Sequence, residues 1–97
     1  MNNQMSKEEA EQARKELEKA VKAFKLLIKL GMKPVAKEVA LELINTMDEM
    51  VKMTTDVEHK KEIYGDYEVN EEFTEKAEKL LARVQELSEE LKTALSK

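Results

Sequence analysis

The sequence predicts an all-α protein, an antiparallel up-down-up bundle of three helices with coiled-coil-like heptad packing. Three observations predict it. Ala, Glu, Lys, Leu and Arg make up more than half of the chain, a composition typical of long packed helices. Apolar residues recur at alternating steps of three and four in three separate stretches. The two glycines and the one proline fall between those stretches.

The middle stretch, Pro34 to Ile63, organises the rest. Ala36, Ala40, Leu43, Met47, Met50, Thr54 and Val57 form one seam. Val35, Val39, Ile44, Val51 and Met53 lie off it, and the polar residues, among them Glu38, Glu42, Glu49 and Asp56, form their own stripe. A helix apolar over more than a third of its circumference is normally covered on two sides, so this one is expected in the middle. Pro34 suits the first helical position, where its missing N–H would lack a partner anyway. Thr55-Asp-Val-Glu58 reads as a capping box, and a break near Thr54-Thr55 would give a four-helix bundle instead. The seam runs through to Val57, which favours one continuous helix.

The first helix is expected over 6–30. Ser6-Lys-Glu-Glu9 is a capping box, and residues 1–5 before it read as a disordered leader. Its seam is Ala10, Ala13, Leu17, Ala20, Phe24 and Leu27, widened by Val21 and Ile28. Gly31 stands where a helix-ending left-handed residue is wanted, and the short turn to Pro34 makes the first two helices antiparallel neighbours. The third helix is expected over 70–96, with Asn70 as its cap and Glu71 and Glu72 complementing the helix dipole. Phe73, Ala77, Leu80, Val84, Leu87, Leu91 and Ala94 form its seam, widened by Leu81 and Leu95. Helices of these lengths span about 37–45 Å each at 1.5 Å per residue. Residues 6–97 thus form a single domain.

Composition excludes several functions. There is no Cys, so no disulfide framework, thiol nucleophile or zinc–thiolate site is available; this fits a cytoplasmic protein. No apolar run approaches the ~18 residues of a membrane span. Two isolated glycines cannot make a phosphate-binding loop. His59 is the only histidine, and it shares a helix face with Asp56 and Glu62. A di-iron carboxylate bundle needs two Glu-x-x-His units and inward glutamates; the second unit is missing and every seam is free of carboxylates. No cofactor, metal site or catalytic group is expected, and the chain reads as a non-enzyme.

Three features bear on binding. Lys19, Lys22, Lys25, Lys29, Lys33 and Lys37 form a run with no acidic residue among them. From Glu38 to Lys76, twelve acids stand against four bases, so opposite charge gathers at opposite ends of the bundle. The basic end suits an anionic surface. A net charge of −4, and the absence of an arginine cluster or of aromatics among the lysines, argue against nucleic acid. The second feature is apolar excess. Val39, Ile44 and Met53 on the middle helix, with Leu26 and Leu30 on the first, exceed what three helices need. They are the candidate face for self-association or for a partner protein. The third is Tyr64-Gly-Asp-Tyr-Glu68, two tyrosines among acids at a turn, a recognition spot or an end cap of the bundle.

The expected function is therefore a non-catalytic structural or protein–protein interaction module. The Glu/Lys/Leu surface and strict heptads resemble designed helical bundles, although the Met-rich middle is less idealised than theirs. Leu80-Leu81-Ala-Arg-Val-Gln85, with Glu42 and Glu49, resembles the BAG-type chaperone-binding three-helix bundles. That resemblance implies an adaptor presenting its second and third helices to a chaperone ATPase domain. It departs from the family at Ala77, where a basic residue would stand.

Overall fold

A computed structural model of the chain describes residues 7–65 and 71–96. It contains three helices: α1 (Lys7–Gly31), α2 (Pro34–Tyr64) and α3 (Glu71–Ser96). α1 ends at Gly31 where 30 is expected, and α2 spans Pro34–Tyr64 where 34–63 is expected. The leader, the Ser6 cap and the Asn70 cap lie outside the described residues, as do Tyr67 and Val69.

The α1–α2 connection follows from local chemistry. Gly31 takes φ 111°, a region that side chains with a Cβ rarely occupy. Three residues later Pro34 opens α2 behind Lys33, whose carbonyl accepts the first helical bond, from the Lys37 amide at 2.8 Å. At the far end Gly65 (φ 73°) turns the chain out, its amide donating to the Lys61 carbonyl at 2.9 Å.

α2 is continuous through Thr54-Thr55, so the four-helix alternative does not occur. Thr54 is buried, and its hydroxyl donates to the Val51 carbonyl at 2.9 Å. This back-bond satisfies the polar group inside the helix, where a hydroxyl would otherwise compete with the backbone.

α2 is the middle element. α1 and α3 each pack along it, and among the described residues no Cα of α1 comes within 8 Å of one in α3. The result is a slab of 48 × 23 × 15 Å with a radius of gyration of 15.2 Å. A compact globule of this length would have about 12–13 Å. The α2 seam is buried at Ala36, Ala40, Leu43, Met47, Thr54 and Val57. Val21 from α1, and Leu87, Leu91 and Ala94 from α3, close over its first half. A smaller cluster, Ala10 and Val57 with Phe73 against them, closes the other end.

The open geometry also explains where heptad reading went too far. Leu27, assigned to the α1 seam, is 46% exposed, and Leu81 and Leu95, expected to widen the α3 seam, stand about half out in solvent. With α1 and α3 held apart on either side of α2, nothing covers these flanks. Val21 and Ile28, one position off the seam, turn towards α2 instead.

Two arginines tie the outer helices to the middle one. Arg14 on α1 donates to Glu58 of α2 at 2.6 Å and to its own Glu18 at 2.6 Å. Arg83 on α3 donates to Glu42 of α2 at 3.0 Å and to its own Glu86 at 3.0 Å. The hydrogen bonds to Glu58 raise the pKa of Arg14 above its ordinary value; those to Glu86, then Glu42, do the same for Arg83. Each arginine links an outer helix to α2.

Candidate interaction surfaces

The basic run is exposed along its whole length. Lys19, Lys22, Lys25 and Lys29 are exposed on the second half of α1, Lys33 in the turn and Lys37 on the first turn of α2. At ~100° per helical residue, Lys22, Lys25 and Lys29 occupy a sector of about 60°. Among the described residues, Lys19, Lys22, Lys25, Lys29 and Lys37 make no ion pair. Their charge is therefore not spent within the fold.

Leu26 and Leu30 flank that sector, about 40° and 80° around α1 from Lys22. Leu26 is 56% exposed and Leu30 75%. Leu27 adjoins them, and Val35, 66% exposed, follows at the start of α2. Sequence reading had singled out Leu26 and Leu30 but had placed Leu27 in the core. A signal for Leu27 was present: leucines at 26, 27 and 30 cannot all face one neighbour when α1 also buries Val21 and packs Phe24 and Ile28 inward.

The other candidates for a partner face separate. Ile44 is 4% exposed and belongs to the main core; this corrects its place on a free strip. α2 is flanked on both sides, and Ile44, one position beyond Leu43, falls under the second flank. Val39 is half-buried and packs against the core. With Val35 it floors a groove whose opposite side is α3, carrying Glu89 and Glu90. Those two acids confine the basic surface to the α1 side of this end.

Met53 is also half-buried, and it meets residues of all three helices. Met50, Met53 and Thr54 of α2 face Ala13 and Leu17 of α1 across a cavity of about 120 Å³. Phe73 and Ala77 of α3 complete its wall, which presents no polar surface. The gap lies between the two core clusters, at the level where α1 and α3 both offer alanine to the centre.

At the acidic end Tyr64 is 70% exposed and Ile63 stands out beside it, so Tyr64 does not cap the bundle. His59 and Glu62 are exposed, and Asp56 pairs with Lys60 at 3.1 Å. Among the described residues no three His, Asp or Glu side chains gather where a cation could sit. No described helix is long and apolar enough to cross a membrane. Of the residues behind the BAG-type resemblance, Glu42 is engaged by Arg83, Glu49 is exposed, Leu80 is half-buried and Leu81 is half-exposed. Compared with protein-family models, with curated proteins and with solved structures, the chain finds no match.

Proposed function

We propose that the chain is a non-catalytic interaction module that docks the second half of α1 and the start of α2 on an anionic membrane surface. One observation carries this reading: Leu26, Leu27, Leu30 and Val35 stand exposed within the stretch that holds six lysines and no acid. Leucines beside lysines on one helix surface match the two layers of a membrane interface, acyl chains below and anionic headgroups above. Each lysine near such a surface contributes about 1 kcal/mol. Each half-exposed leucine that leaves water contributes on the order of 1 kcal/mol. The two contributions are comparable, so charge and apolar insertion act together. The lysine stems are long enough to keep their ammonium groups at headgroup level while the leucines sink below.

An environment-sensitive fluorophore on Cys at position 30 (Leu30→Cys) tests the docking geometry. Its emission is expected to shift to the blue on mixing with phosphatidylserine-containing vesicles. The same label at position 86 (Glu86→Cys), on α3, is expected to stay unchanged. Equal responses at both positions would mean that the protein does not meet the membrane through the α1 surface.

A second reading has a specific motive. The far end of the slab carries Asp56, Glu58 and Glu62 of α2 with Glu71, Glu72 and Glu75 of α3, so a second copy could offer its acidic end to the basic one. Sedimentation equilibrium without lipid separates the two readings: membrane docking leaves the lipid-free chain a monomer, whereas self-association gives a mass that rises with concentration.

A further inference from the structure

We propose that the cavity between the two core clusters is a binding site for a small, uncharged, apolar molecule of about benzene's size. The proposal is independent of the membrane-docking surface. The cavity exists because Ala13 and Ala77 occupy core-facing positions of α1 and α3 where a larger side chain would have filled the layer. Its volume, about 120 Å³, is close to that of an engineered apolar cavity of ~150 Å³ that stays dry and takes up benzene or xenon.

Water is a poor occupant. Water entering from the open side meets no polar partner on this wall, so an apolar ligand displaces it at little cost. The one hydroxyl nearby, that of Thr54, is spent on the Val51 carbonyl at 2.9 Å, which leaves its methyl group for the wall. Among the described residues no buried side-chain nitrogen or oxygen lacks a hydrogen-bond partner, so nothing polar waits inside for a ligand group. A charged or strongly hydrogen-bonding ligand would lose its hydration without compensation. An apolar one would gain contacts that the gap now forfeits.

Access and adaptability are built in. Apart from Thr54, the lining side chains are half-buried, so the cavity reaches the surface and a ligand can arrive without unfolding of the bundle. Two of those side chains, Met50 and Met53, are unbranched and polarizable, and can reshape around a guest or rest against its ring.

The test is a titration of the full chain, with ¹³C-labelled methionine methyls, with benzene. The expected result is a saturable shift of the Met50 and Met53 methyl signals. Met47, packed in the larger cluster, and Met32, at the opposite end, are expected to stay in place. Ala77→Leu, which fills the cavity from α3, is expected to weaken binding at least tenfold, and Ala13→Leu does the same from α1 should the first variant fold poorly. The absence of a saturable shift in the wild-type chain would overturn the proposal without recourse to either variant. Undiminished binding in a filled variant of native helicity would overturn it as well, by placing the benzene elsewhere.

Discussion

Replacing Lys22, Lys25 and Lys29 together with Gln is expected to weaken binding to phosphatidylserine-containing vesicles by roughly 100-fold. Three charges at about 1 kcal/mol each near an anionic surface amount to about two powers of ten in a partition constant. These three side chains share one narrow sector of α1 and lie beside Leu26 and Leu30, so they reach the headgroups in the same pose. Gln keeps helix propensity close to that of Lys, and all three positions are exposed, so the fold stays intact. The matched control is Lys52, Lys76 and Lys79 to Gln, which removes the same charge from α2 and α3. That variant is expected to change binding only slightly. Equal losses in both variants would mean that only overall charge matters, and the α1 surface would have no special role. The difference is expected to shrink with salt, because the screening length falls from ~10 Å at 0.1 M to ~3 Å at 1 M.

Leu43→Ala is expected to destabilise the fold by about 2–5 kcal/mol, the usual cost of emptying a fully buried leucine site. Leu43 is 0% exposed at the middle of the α2 seam and belongs to the larger core cluster. A chain of this size has only about 5–15 kcal/mol of stability in all, so this one side chain carries a substantial share of it. Urea unfolding followed by circular dichroism reads the effect as a lower midpoint at an unchanged slope. The comparison is Leu81→Ala on α3. Leu81 is about half-exposed, and its loss is expected to fall near the ±0.5 kcal/mol typical of surface sites. Similar costs at the two positions would show that α2 is not the centre of the fold.

Some of this architecture could be read from residues alone, and the reason is geometric. Heptad spacing on α2 states which positions face a neighbour, and a helix with a neighbour on each side satisfies nearly all of them. Gly31 and Pro34 fix one turn by backbone chemistry that needs no tertiary context. The outer helices are different, because each has one neighbour. Spacing places both Val21 and Leu27 on the packed side of α1, and the exposure of Leu27 depends on how far α1 sits from α3. Ile44 differs in the opposite direction: spacing places it on a free strip, and the second flank of α2 covers it. The pairing of Arg14 with Glu58 joins residues far apart in sequence, and no local pattern announces it. The cavity escaped for a further reason: Ala13 and Ala77 obey the apolar pattern, and a pattern records polarity but not volume. Of the binding surfaces, the lysine run was legible because it is contiguous. The exposure of Leu27 and Val35 in the same stretch required the fold.

Cosedimentation of the wild-type chain with vesicles, at low salt and with an increasing fraction of phosphatidylserine in phosphatidylcholine, tests the docking function most directly. The expected result is a bound fraction that is near zero on pure phosphatidylcholine, rises with the anionic fraction and falls when salt is added. No binding to strongly anionic vesicles at low salt would contradict it, and the exposed leucines of α1 would then have to be assigned to a protein partner or to a second copy of the chain.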